Sequence, residues 1–210
     1  MIDLTQHLEN GMPRYPGDLE PSFEDTARVE VDGFAMSEYR LSNHLGTHVD
    51  APSHQIAGGD TLDDIGLERL VTDALTLDFR EHARGALTLV DLEPHLEKLE
   101  PGDLLFICSG NDRNWGSDAY WSGWCYPDAQ ASRAIIDRGV SGVGFDGPSA
   151  DPVETEAFEL HRVWLGAGRL IVENLCNLDR LPERSRVVVA PMKVRAANGA
   201  PARVIALTAP

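Results

Sequence analysis

The 210-residue chain is 42% hydrophobic and 25% charged, the balance of a globular protein and not of a disordered one. Its 34 acidic residues against 18 basic ones give a formal charge of -16, which repels phosphate backbones and speaks against a nucleic-acid partner. No apolar run reaches the ~20 residues of a membrane helix, and residues 1–7 lack the basic and apolar regions of a signal peptide. Three widely spaced cysteines (Cys108, Cys125, Cys176), with no C-x-x-C pair, fit a reducing compartment. A cytoplasmic protein with no membrane partner is therefore expected, as one domain over residues 1–210.

Arg28–Val31 and Ala35–Leu41 alternate around Asp32-Gly33 and predict a hairpin. Val71–Phe79 alternates as a strand, Asp91–Leu99 reads as a helix stopped by Pro101-Gly102, and Leu104–Cys108 reads as a short buried strand. Asp128–Arg138 is the clearest helix, with Pro127 before it and Gly139 after it. Val140–Phe145 is a strand, Glu154–His161 a helix, and Arg169–Glu173 another strand. Arg186–Val189 and Ala202–Leu207 close the chain as strands. Strands at both ends with helices between them predict a mixed α/β domain containing a partly antiparallel sheet or barrel.

Chemistry concentrates in residues 44–54, His-Leu-Gly-Thr-His-Val-Asp-Ala-Pro-Ser-His. Gly46, the β-branched Thr47 and Val49, and Pro52 disfavour a helix. In an extended chain His44, His48 and Asp50 share a face, and Gly46 can supply the bend that draws the two imidazoles together. Two imidazoles and a carboxylate are ordinary ligands of zinc or manganese. The competing reading is a polar loop with surface histidines, and three histidines with an aspartate at this spacing favour a site. Farther on, His161 ends the predicted helix Glu154–His161 and Glu173 ends an apolar strand. Taken singly, they read as a helix terminus and a strand end meeting solvent.

The run 44–54 resembles the H-x-G-T-H-x-D-A-P-x-H signature of the cyclase family of metal-dependent hydrolases, which includes bacterial kynurenine formamidases and isatin hydrolases. Tyr15-Pro16-Gly17-Asp18 resembles that family's W-P-G-D. Gly102–Leu105 with Ser109-Gly110, Gly144–Ser149, and Ala190–Lys193 with Gly199–Arg203 resemble further, weaker family stretches. The resemblance implies a swivelling β/β/α fold with a mixed, partly antiparallel sheet, often assembled as a homodimer or homotetramer. In the formamidase branch it implies two divalent metal ions, zinc with manganese as the other choice. His44, His48 and Asp50 would hold the first ion; Asp50, His161 and Glu173 would hold the second. It casts His54 as the proton-transferring catalytic residue. Tyr15 stands at the position of a substrate-packing tryptophan, and Ser109 in place of a threonine is a second departure. Trp115, Tyr120, Trp121, Trp124 and Tyr126 read as core or interface packing singly and as the wall of an aryl pocket together.

The implied activity is hydrolysis of a small aryl amide, N-formylkynurenine to kynurenine and formate, as in tryptophan catabolism. The nearest rival changes only the substrate, to a cyclic amide, a lactone or another carbonyl compound. A metal-binding protein without catalysis would have no use for a spare base such as His54. A serine hydrolase is disfavoured because no G-x-S-x-G occurs.

Overall fold

The computed structural model describes residues 1–208. Strand β1 (Ile2–Asp3) lies at one edge of an eight-stranded mixed sheet. The hairpin β2 (Ser22–Ala27) and β3 (Met36–Arg40) stands apart from that sheet as its own two-stranded unit. Between its strands, the predicted strand Arg28–Val31 is instead a helical turn, α1 (Val29–Asp32). Asp32 accepts from the Arg28 amide, and Gly33, at φ 79, ends the turn in the left-handed region that glycine enters without steric cost. The hairpin exists, but Ser22–Ala27 supplies its first strand.

The remaining elements run β4 (His48–Asp50), α2 (Leu67–Leu70), β5 (Val71–Asp78), β6 (Gly85–Leu87), α3 (Leu89–Leu96), β7 (Leu104–Cys108), β8 (Cys125–Pro127), α4 (Ala129–Ile136), β9 (Gly142–Phe145), α5 (Glu159–Gly166), β10 (Leu170–Glu173), β11 (Arg184–Pro191) and β12 (Gly199–Leu207). The sheet order is β1-β12-β11-β5-β7-β9-β10-β4, and β4 pairs again with β12. The sheet therefore closes on itself, with β12 changing partner along its length. Gly199, Ala200 and Pro201 face β4, while Ile205 and Ala206 face β1. Neighbours β5, β7, β9 and β10 are parallel; β4, β11 and β12 run antiparallel to their neighbours.

Period-two alternation divides the apolar residues between two cores. Leu104, Phe106 and Cys108 of β7 join Val49, Val172 and Val204 inside the ring. Leu105 and Ile107 join Val143, Phe145 and Ile171 outside it, where Ile135 of α4 and Leu160, Trp164 and Leu165 of α5 cover them. Strands covered on both faces read as continuous apolar runs, which is why Leu104–Cys108 is wholly buried. The alternation of Val71–Phe79 shows in burial only over Val71–Ala74, because Leu75 and Leu77 pack into the second core while Ala74 faces the first.

Helix boundaries follow from where orphan amides find acceptors. Asp128 caps α4 by accepting from the Ala131 amide at 2.8 Å, and Gly139 follows at φ 81. A capping box between Thr88 and Asp91 starts α3 two residues earlier than the sequence suggests, and the helix ends at Leu96. Glu154–His161 is corrected more substantially. Phe158 sits in the left-handed region at φ 46, so no helix can run through it, and α5 begins only at Glu159. His161 consequently lies in the first turn of a helix and not at its end. Among the described residues no helix is long and apolar enough to cross a membrane, and the three cysteines are free.

Candidate metal centre

Strand register gathers the polar cluster. His48 and Asp50 are two apart on β4 and so share a face, and Glu173 of β10 stands directly opposite His48. This is the outer face of the ring, since Val49 and Val172 point inward. Helix α5 packs over it and lowers His161 onto the same point. His44 arrives from the preceding turn, where Gly46 at φ 62 bends the chain as the sequence anticipates. A Cβ at Gly46 would lie 2.6 Å from Leu8, so both conformation and space call for glycine.

His48, Asp50, His161 and Glu173 are all buried. One Asp50 oxygen lies 2.7 Å from His44 Nδ1 and 3.3 Å from His48 Nε2. Glu173 is 3.4 Å from both His48 Nε2 and His161 Nε2. Each ring is oriented from behind, as metal-binding imidazoles usually are. His48 Nδ1 donates to the Gly46 carbonyl at 2.9 Å, and His161 Nδ1 donates to Asp151 at 2.6 Å, so both turn Nε2 inward. His44 Nε2 meets Asn198 at 3.1 Å, leaving Nδ1 toward Asp50. His54 follows the turn opened by Pro52, its ring 4.1 Å from that of His44 and 5.9 Å from that of His161.

The electrostatics favour positive charge. Burial alone would raise the Asp50 carboxyl, but His44 and His48 hold it well below the usual carboxylate range. Burial would lower His48 and His161, yet Asp50 raises the first to about 9, and the Asp151 hydrogen bond with Glu173 raises the second to about 10. His54 moves the other way. Burial holds it below the ordinary imidazole value, with His44 and His161 adding to the effect.

A divalent cation fits this donor set. The second Asp50 oxygen, Oδ2, is buried with no hydrogen-bond partner, and an unpartnered buried carboxylate oxygen is costly unless something positive meets it. Two overlapping groups have ligand atoms within 4.8 Å of one another: His44, His48 and Asp50, and Asp50, His54 and His161. The first coincides with the trio expected from spacing. The second puts His54 at ligand distance, where the sequence reading has Glu173 complete that set. Glu173 also accepts from the Ala150 amide at 2.9 Å.

The cluster opens into a cavity of about 240 Å³. Tyr15 and Trp121 line it with rings edge to face at 6.4 Å, and the Tyr15 hydroxyl donates to the Val153 carbonyl at 3.3 Å. Of the aromatic segment only Trp121 lines that cavity. Tyr120 and Trp124 are buried as core, and Trp115 packs on Tyr120. The sequence reading missed Asp151, which also accepts from the Leu160 and His161 amides at 2.9 Å and so caps α5 while orienting His161. It also missed Asn174, whose side chain donates to the Gly46 carbonyl at 2.8 Å and accepts from the Tyr120 hydroxyl at 2.7 Å. Asp151 precedes α5 by eight positions and so stands outside the local N-cap pattern that sequence can show.

Residues 2–152 match the family model described as "Putative cyclase". A kynurenine formamidase of Salinibacter ruber is 29% identical over 213 aligned positions, covering 100% of this chain and 98% of that protein. A kynurenine formamidase of Erythrobacter litoralis is 32% identical, covering 91% and 86%. Among solved structures, isatin hydrolase A from Ralstonia solanacearum superposes with a TM-score of 0.85 at 25% identity, covering 98% of this chain and 90% of that one.

Proposed function

The chain belongs to the cyclase family, and from that premise we propose that it is a metal-dependent amide hydrolase, an aryl formamidase converting N-formylkynurenine to kynurenine and formate. The observation that carries the reading is Asp50, buried between two imidazoles with one oxygen unpartnered. His44, His48 and Asp50 would hold one divalent ion, and Asp50, His161 and Glu173 a second, zinc being the first choice for this donor set. When bound, such ions lower the pKa of water to about 7 and polarise a carbonyl oxygen.

The chain's own residues supply the rest. Asp151 and the Gly46 carbonyl fix the tautomers of His161 and His48, so each presents a lone pair toward the cluster. His54, lining the cavity beside both His44 and His161, takes a proton from the attacking water. It then delivers that proton to the leaving aniline nitrogen. Tyr15 and Trp121 offer an aromatic edge and face to an aryl ring. The free thiols support a cytoplasmic place of action.

The testing experiment is a substrate panel on metal-analysed protein. Aryl formamides should turn over much faster than alkyl formamides, and a chelator should abolish both activities. Full activity in chelator would end the reading. The likeness to isatin hydrolase A favours one second reading, ring opening of a cyclic aryl amide at the same residues. Preference for such rings over formamides in the same panel would select it.

A further inference from the structure

The cavity above the candidate metal centre carries two charged residues on its wall that take no part in the metal cluster. Of the described residues lining it, Arg14 is the one lysine or arginine, in a chain of formal charge -16. Asp18, Asp50 and Glu173 line it as carboxylates. Asp50 and Glu173 are committed to the histidines. The half-buried Asp18 makes no hydrogen bond or ion pair through its side chain among the described residues; only its backbone is engaged.

A tight turn brings the two charges together. Pro16 and Gly17 form its centre, Gly17 at φ 94 in the left-handed region, and the Asp18 amide donates to the Tyr15 carbonyl at 3.0 Å. Arg14 Nε donates to the Asp18 carbonyl at 3.2 Å, and Arg14 Nη2 meets Glu20 at 2.7 Å. Nη1 has no partner among the described residues. Both side chains of the Glu20 pair are exposed, and such pairs are worth little in water. The turn uses Gly17 and the backbone of residue 18; the Asp18 carboxylate does nothing for it. Tyr15 ties the turn to the body through the Val153 carbonyl, and its ring stands edge to face with Trp121.

An aryl ring against Tyr15 and Trp121 would send a substituent toward Arg14 and Asp18. A plain anion there would be drawn to Arg14 and repelled by Asp18, and a plain cation the reverse. A group with an ammonium and a carboxylate on one carbon satisfies both. We propose that Arg14 and Asp18 form a subsite for an α-amino acid group, so that this centre selects aryl amides bearing a zwitterionic side chain over bare ones. The inference rests on the aryl formamidase reading and concerns the end of the substrate remote from the reacting carbonyl. Arg14 donates to the carboxylate through Nη1, and Asp18 accepts from the ammonium. Neither residue touches the reacting atoms. Their contacts hold substrate and transition state alike, which lowers KM and leaves kcat as it is.

Steady-state kinetics of metal-loaded protein on a graded set of aryl formamides tests the subsite. N-formylkynurenine carries both charges, N-formylkynuramine lacks the carboxylate, and formanilide lacks both. In wild-type protein kcat/KM should fall in that order. Arg14→Gln should lower the ratio of kcat/KM for N-formylkynurenine over N-formylkynuramine about 10-fold, through KM, and Arg14→Lys should recover part of it. Asp18→Asn should lower the ratio for N-formylkynuramine over formanilide, again about 10-fold. Ratios cancel any loss of folded or metallated protein. Calorimetric binding of kynurenine and kynuramine asks the same question without turnover: kynurenine should bind tighter, by a margin that Arg14→Gln removes. If none of the formamides is cleaved while that margin is present, the formamidase reading fails and the subsite stands. Ratios that neither variant moves, or equal binding of kynurenine and kynuramine by wild type, would overturn the subsite, and formamide turnover would then leave the formamidase reading in place.

Discussion

At the scale of single residues, Asp50 is the carboxylate that the histidines share. One oxygen serves two imidazoles and the other has no hydrogen-bond partner, with His161 Nε2 3.7 Å away, so replacing Asp50 removes the charge that the whole cluster shares. Asp50→Ala should empty the centre of divalent metal and abolish turnover, as elemental analysis and assay would report together. His54 is the harder residue, since it stands at ligand distance from Asp50 and His161 yet beside the cavity. As a proton carrier, His54→Asn should lose about 10²- to 10⁴-fold in turnover and keep its metal. Loss of one equivalent of metal would make His54 a ligand. Asp151→Asn should weaken metal binding by about 10- to 100-fold, because the ring of His161 loses its anchor. Titration with a chromophoric competitor would measure that loss. The trio His44, His48 and Asp50 was legible because alternation and one glycine suffice to bring it together. Asp151 was not, because its role depends on where α5 begins.

Elements were legible wherever a single local rule decides them. Asp128, Pro127 and Gly139 bracket α4 in sequence as in space. Removing the cap tests this directly: Asp128→Ala should cost about 1 kcal/mol, a fall of roughly 2–4 °C in Tm by calorimetry. The rule fails where tertiary contacts intervene. Arg28–Val31 alternates like a strand but winds into a turn, since Asp32 captures the Arg28 amide and Gly33 closes it. Glu154–Phe158 has the composition of a helix start, but the acceptor for the first amides is Asp151, whose carboxylate reaches the amides of Leu160 and His161. A side chain that bonds residues nine and ten positions onward leaves no periodic trace.

The whole molecule shows a closed sheet whose outer face carries the polar cluster under one helix. The donors come from β4 and the turn before it, from α5 and from β10, so a bound cation would tie distant parts of the chain together. Zinc at about 100 times its dissociation constant should stabilise the fold by about 2.7 kcal/mol, raising Tm by roughly 5–10 °C over chelated protein in a thermal scan. Ring closure itself was beyond reach of local reading, because alternation predicts strands and not which strand β12 will join. Its partners are remote: Arg203 on β12 pairs with Asp3, 200 positions away, and Gly199 of the same strand lies against Asp50. On a ribosome the chain emerges from its amino end, so His44 and then β4, with His48, leave the tunnel long before β12 exists to flank them. Until then the ring has a gap beside Asp50, and Gly199 is not yet there to back the His44 ring, which it approaches so closely that a single added Cβ would stand 2.4 Å from it. The cluster is therefore complete only once β12 has emerged. A ribosome stalled before Gly199 should carry a nascent chain whose histidines are all present and whose candidate metal centre still lacks β12 at its flank.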